Sequence, residues 1–263
     1  MLTYPKIDPV MFQLGPIKVH WYGMMYLIGF GLAWWLGRRR AALPNSPLTQ
    51  EQVSDAIFYG ALGVVLGGRL GYILFYNLPE YLNSPLNILK VWQGGMSFHG
   101  GLLGVLIAMW LFSLKVNRRF FELTDFVAPL VPLGLGIGRI GNFINGELWG
   151  RPTDLSWGMI FPGEAAGNIP RHPSQLYEAV LEGFVLFIIL WLFSRKPRPT
   201  MAVSGLFLIG YAIFRFSVEF VRTPDRHLGF IAFEWMTMGQ VLCIPMFIFG
   251  VVLMYVAYRS KAT

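Results

Sequence analysis

The chain has 263 residues, of which 55% are hydrophobic, 16% aromatic and only 13% charged, about half the charged share of a soluble domain. A formal net charge of +7 would point to nucleic acid in a soluble protein; in so apolar a chain it belongs to the connections between membrane spans, and no nucleic-acid partner is expected. Cys243 is the single cysteine, which excludes an internal disulfide or a cysteine metal cluster, and its place in an apolar run predicts a small core residue.

At about 20 residues per crossing, seven spans are predicted: His20–Gly37, Val53–Tyr76, Ser97–Leu114, Leu123–Ile140, Gln175–Phe193, Val203–Val221 and Met236–Tyr258. The expected fold is an all-α integral membrane protein, a bundle of seven transmembrane helices forming one polytopic domain over residues 1–263. Residues 142–174, the longest connection, would build a small external cap of turns or short strands between spans four and five. Met1–Val19 and Asn77–Met96 mix prolines with large apolar residues, as segments resting on a bilayer surface do. No small-x-small site follows Val19–Leu36 and the basic cluster comes after that run, so a cleavable signal peptide is not expected.

Lysine and arginine set the orientation. Eleven cluster after the odd-numbered spans: Arg38, Arg39, Arg40, Lys115, Arg118, Arg119, Arg195, Lys196, Arg198, Arg259 and Lys261. Seven are scattered on the other side: Lys6, Lys18, Lys90, Arg151, Arg171, Arg222 and Arg226. This predicts a cytoplasmic C-terminus and an external N-terminus. The remaining arginines, Arg69, Arg139 and Arg215, lie inside spans two, four and six, each toward the outer end. Tyr26, His99, Gln175, Glu178 and Glu182 are also near outer ends, so polar groups converge on one leaflet.

Intramembrane charges are expensive and face a partner or a wet cavity. Gly134 to Gly150 is the densest such stretch, with Arg139, Asn142, Asn145 and Glu147 among glycines that bare the backbone. A snorkelling Arg139 is the plainer alternative. Gly63, Gly67 and Gly71, with Gly100 and Gly104, predict close packing of spans two and three. Tyr211, Arg215 and Glu219 share one stripe on span six; Gln175, Glu178 and Glu182 form another on span five. The glutamates suit either a site or a set of structural ion pairs. Guanidinium binds phosphate bidentately and stays charged when desolvated, so an anionic phospholipid is the natural ligand. His99, at a helix entrance, is the candidate base, while His172 and His227 belong to loops. With no nucleophile in the chain, the second substrate should bring one.

Gly138-Arg-Ile-Gly-Asn-Phe-Ile-Asn-Gly-Glu-Leu-Trp-Gly150 resembles the signature of the bacterial prolipoprotein diacylglyceryl transferase family. His99-Gly-Gly-Leu-Leu-Gly104 is similar to its second hallmark, Arg171-His-Pro-Ser-Gln-Leu-Tyr-Glu178 to a third, and Tyr211-x3-Arg215-x3-Glu219 to its span-six motif. The resemblance covers essentially the whole chain. It implies transfer of sn-1,2-diacylglyceryl from phosphatidylglycerol to the lipobox cysteine of a prolipoprotein signal peptide, within membrane lipid, with glycerol-1-phosphate leaving. It implies that Arg139 and Arg215 hold the phosphate, that Asn142, Asn145, Glu147 and Gly150 shape the site, that His99 and Tyr26 assist, and that Glu219 positions Arg215. Tyr211 and Gly100, inside the matching motifs, complete the substrate-binding set. The resemblance calls for no metal and no organic cofactor. The rivals are a flippase or exporter for an anionic lipid, disfavoured by how few charges occupy the inner halves of spans two, four and six, and a structural scaffold, which leaves converging arginines unexplained.

Overall fold

A computed structural model describes residues 2–5, 7–90, 94–224 and 229–259. Lys6, Arg226, His227 and Lys261 lie outside the described residues. In chain order the elements are β1 (Leu2–Thr3), β2 (Val10–Leu14), β3 (Ile17–His20), α1 (Trp21–Ala41), α2 (Gln50–Tyr76), α3 (Leu78–Asn83), α4 (Phe98–Lys115), α5 (Phe120–Val127), α6 (Val131–Ile144), β4 (Met159–Ile160), β5 (Pro170–Arg171), α7 (Ser174–Glu178), α8 (Leu186–Phe193), α9 (Ala202–Glu219) and α10 (Met238–Arg259). Five helices, counting Ser174–Phe193 as one, are long and apolar enough to cross a membrane; a bent pair makes a sixth. The protein is thus a mostly helical, multi-pass membrane protein. β1, β2 and β3 are an addition to the all-α expectation, while β4 and β5 fall in the connection for which turns or short strands are expected.

Two compact units arise: the described residues within Met1–Ala33 and Asp125–Thr263, and those of Trp34–Thr124. In the second, Thr49 and Gln52 form a reciprocal capping box that starts α2, satisfying two otherwise orphan amides. The predicted glycine contact is realised. A Cβ on Gly71 would come within 2.7 Å of the Gly100 Cα, and one on Gly63 within 2.7 Å of the Gly104 carbonyl oxygen. α2 and α4 therefore pack backbone to backbone, as small residues allow where no hydrophobic drive exists between lipid-bathed helices.

In the first unit, span four departs from expectation. Leu123–Ile140 is not one helix: α5 stops at Val127, three residues turn, and α6 restarts at a 50° bend. Pro129 lies in the turn and Pro132 in the first turn of α6. A proline has no amide to donate and disfavours helical geometry at the residue before it, so two of them three apart break the run. Span five is interrupted differently, by a π-helical stretch over Ala179–Val185 between α7 and α8. That wider winding accompanies a tight contact: a Cβ on Gly183 would meet the Gly136 Cα at 2.6 Å. α6 can therefore lie directly on the π turn.

Residues 142–174 contribute β4 and β5, which join β1 in a three-stranded sheet, β1 parallel to β4 and β4 antiparallel to β5. Tyr4, Met159, Phe161 and Ala166 form its small core, with Phe143 and Trp149 against it. The Tyr4 hydroxyl reaches the Phe143 and Ile144 carbonyls, each at 2.7 Å, and burial pushes its pKa up. The sheet thereby ties the N-terminus to the end of α6.

Candidate active site

The first unit gathers six charges from three helices and the turn after the last of them. Glu178, at the end of α7, faces Arg139 of α6 at 2.5 Å, Arg215 of α9 at 3.2 Å and Arg222 at 3.9 Å. Glu182, on the π turn, is 3.8 Å from Arg215. Glu219, one turn beyond Arg215, pairs with it at 2.5 Å and with Arg222 at 3.4 Å. Three guanidinium groups thus meet three carboxylates. The balance is required, because each ion taken out of water costs several kcal/mol even after relaxation. The start of α10 contributes as well. The Thr237 hydroxyl donates to Glu219 at 2.7 Å, and Gly239 leaves room that a Cβ would take, 2.7 Å from a Glu219 oxygen.

The arginines are not equivalent. Arg215 is 12% exposed, with Nη1 toward Glu178 and Glu182 and Nη2 toward Glu219. Arg139 is 22% exposed and held through Nε alone. Its two terminal nitrogens make no hydrogen bond or ion pair among the described residues of this unit. A guanidinium tied at the back and open at the fork is the arrangement that accepts two anion oxygens.

After Arg139 the signature runs into a second polar cluster. Asn142 and Asn145 both donate to one Glu147 oxygen, at 2.9 and 3.2 Å, and the Glu147 amide returns to the Asn142 carbonyl at 3.1 Å. The stretch is then fastened to its neighbours. Gln175 donates to the Glu147 carbonyl at 2.5 Å and Ser174 to that of Leu148 at 3.0 Å. The Gly150 amide bonds the His172 carbonyl at 2.8 Å, and the Arg151 amide bonds that of Val221 at 2.8 Å. Three chain segments converge on Gly150, where a Cβ would meet the Val221 carbonyl and come within 2.7 Å of His172. Only hydrogen fits there. Along the other side of α6, a Cβ on Gly141 would come 3.2 Å from the Tyr22 ring, whose hydroxyl is 3.2 Å from that of Tyr26.

The family profile described as prolipoprotein diacylglyceryl transferase matches residues 9–256. The phosphatidylglycerol–prolipoprotein diacylglyceryl transferase of Azotobacter vinelandii is 63% identical over 262 residues, covering 100% of this chain and 98% of its own length. That of Pseudomonas aeruginosa is 61% identical with the same coverage, and that of Methylococcus capsulatus is 61% identical over the whole of both chains. The chain belongs to the prolipoprotein diacylglyceryl transferase family.

Within this transferase fold, Arg139, Arg215 and Glu219 come together in one network, with Tyr211 one turn before Arg215 on α9. Asn142, Asn145 and Glu147 form a second group on the same chain stretch, and Gly150 closes it. His99 and Gly100 belong to the second unit: His99 is exposed on the first turn of α4, and Gly100 is the close-contact residue against α2. Arg69 is in the second unit too, and its guanidinium is committed to main-chain carbonyls. Arg222 was read from the sequence only as a loop charge. Its spacing of three from Glu219 and seven from Arg215 was the available signal. Thr237-Met-Gly-Gln240 carries a capping pattern, realised as reciprocal bonds at 3.0 and 3.3 Å, that marks the start of α10. His172 is half-buried beside Tyr177, at 3.3 Å from its hydroxyl, and burial lowers its pKa. Cys243 is 3% exposed, a core residue as expected.

Proposed function

We propose that this chain transfers the sn-1,2-diacylglyceryl group of phosphatidylglycerol to the lipobox cysteine of a prolipoprotein, the first step of bacterial lipoprotein maturation. The observation that carries the reading is the open fork of Arg139 within an otherwise carboxylate-saturated cluster of arginines. In this reading the two terminal nitrogens of Arg139 grip the lipid phosphodiester, while Arg215, oriented by Glu219, supplies field from behind. The cysteine sulfur attacks the glyceryl carbon attached to the phosphate-ester oxygen. As the S–C bond forms the C–O bond breaks, and its electron pair leaves on glycerol-1-phosphate. The guanidinium groups stabilise that charge as it develops, the largest kind of contribution in most enzymes. The resemblance of its motif makes His99 the candidate to take the thiol proton. Asn142, Asn145, Glu147 and Gly150 shape the wall around the head group, Tyr26 and Tyr211 line it, and Gly100 lets the first turn of α4 lie close on α2.

The same reading sets the chain in the bacterial inner membrane with seven spans, α1 being the additional crossing. The N-terminus and residues 142–174 are periplasmic, the C-terminus is cytoplasmic, and the chemistry occurs in the outer leaflet. The clustering of eleven cationic residues after alternate spans supports this orientation. The test is to incubate purified protein with labelled phosphatidylglycerol and a lipobox peptide. Thioether product and released glycerol phosphate are expected, and Arg139→Ala should form no detectable product. Wild-type turnover in Arg139→Ala would overturn the phosphate role. Lipid movement without product would replace the transferase reading with a flippase.

A further inference from the structure

Arg69 is a buried cation of a different kind. It lies within α2, 4% exposed, and no carboxylate pairs with it among the described residues. All five of its N–H donors have main-chain acceptors instead. Nε donates to the Ile88 carbonyl at 3.0 Å. Nη1 donates to Gly94 at 2.6 Å and Gly95 at 3.3 Å, and Nη2 to Asn87 at 2.6 Å and Lys90 at 3.2 Å. The Tyr81 ring covers it, 5.1 Å from the guanidinium carbon.

What these bonds hold is the entry to α4. Gly94 and Gly95 both adopt left-handed backbone geometry, φ +83° and +78°, so the turn is strained for any other residue. A Cβ on Gly95 would also come within 2.9 Å of Arg69 Nη1. Two residues later the Ser97 amide bonds the Gly68 carbonyl, next to Arg69, at 2.9 Å. The Ser97 hydroxyl caps α4 by accepting from the Gly100 amide at 3.2 Å. His99 sits between these two contacts. The packing of α2 on α4 is made separately, by Gly63, Gly67, Gly71, Gly100 and Gly104. The helix pair therefore has its own adhesion, and Arg69 governs the loop.

We propose that Arg69 is a positioning residue, fixing the Gly94–Gly95 turn and through it the first turn of α4 so that His99 is held at the angle proton transfer requires. This rests on the reading of His99 as the proton acceptor. Lysine is no substitute, since three donors on a flexible stem cannot span five carbonyls.

The test is a double-mutant cycle on the full-length protein in phosphatidylglycerol-containing micelles, following kcat and KM for lipid and lipobox peptide. Arg69→Gln should lower kcat roughly as far as His99→Gln does, about 100-fold, the lower end of the range general-base catalysis supplies. KM for the lipid should stay within about twofold, and the pair Arg69→Gln/His99→Gln should be no slower than His99→Gln alone, because coupled residues are non-additive. Arg69→Lys should recover little. Gly94→Ala, whose added Cβ meets nothing within 4 Å, strains the turn without crowding it. It should repeat the pattern more mildly, and it carries the cycle if Arg69→Gln does not fold. If His99→Gln is slow while Arg69→Gln runs at the wild-type rate, or if the two losses multiply, the positioning role is wrong and the base reading stands. If His99→Gln runs at the wild-type rate, the base reading fails and this proposal with it.

Discussion

Arg215 and Arg69 are both largely buried arginines toward the C-terminal ends of long apolar helices, yet the two units neutralise them by different chemistry. Around Arg215 the partners are carboxyl side chains from two helices, Ser174–Phe193 and α9 itself; around Arg69 they are peptide carbonyls from the connection between α3 and α4. A carboxylate partner makes a charge cluster whose field extends to an approaching ligand. Carbonyl partners use every donor and leave a fixed knot. The first arrangement suits chemistry on an anion and the second suits holding a chain in place, so burial of an arginine alone does not distinguish the two uses.

The sharpest way to break that contrast is at Arg139 and Arg215. Arg139→Ala should abolish transfer, by at least about a thousandfold, while unfolding in detergent shifts little, because Glu178 keeps two other cations. Arg215→Ala should lose activity and also roughly 3–5 kcal/mol of stability, the usual result of leaving buried charges uncompensated. If both variants unfold alike and both keep turnover, the division of labour is wrong. Next in size is Gly183→Ala: a methyl 2.6 Å from the Gly136 Cα should cost about 1–3 kcal/mol as overpacking, and it should disturb the Arg139–Glu178 pair more than Arg69. Asp125→Ala is a smaller effect. Asp125 accepts from the Met201 and Ser204 amides at 2.7 and 2.8 Å, capping α9 from a neighbouring helix, and its loss should lower stability by about 1 kcal/mol. The smallest effect is at His172. Its lowered pKa keeps it neutral in the fold while the unfolded chain protonates near the ordinary value of about 6.5. The histidine therefore leaves stability intact above that pH and lowers it as pH falls toward the folded pKa. His172→Gln should flatten that limb of a stability–pH curve.

Much of this was legible in the chain. The glycine spacing of spans two and three specified their contact, because close approach depends on residue size alone. The Tyr211, Arg215, Glu219 stripe followed from helical period. The break after Val127 was written in Pro129 and Pro132, but a window sized to a membrane crossing smooths over it. The π turn had no local signal, since it depends on how Gly183 meets Gly136. Arg69 was grouped with Arg139 and Arg215 because hydropathy reports that a charge is buried and says nothing of its partner. Nor could β1 be foreseen: two residues at the N-terminus find their strand partner at Met159–Ile160.

The solitary thiol has a practical consequence. Cys243 is shut inside α10's packing, so a water-soluble maleimide added to a working reaction should ignore the protein and count only the peptide sulfur not yet alkylated. The natural chain thus serves as its own silent background when timed samples are quenched with the reagent. Single cysteines introduced at either end of the polypeptide would then report, by impermeant labelling in whole cells, which terminus meets the periplasm.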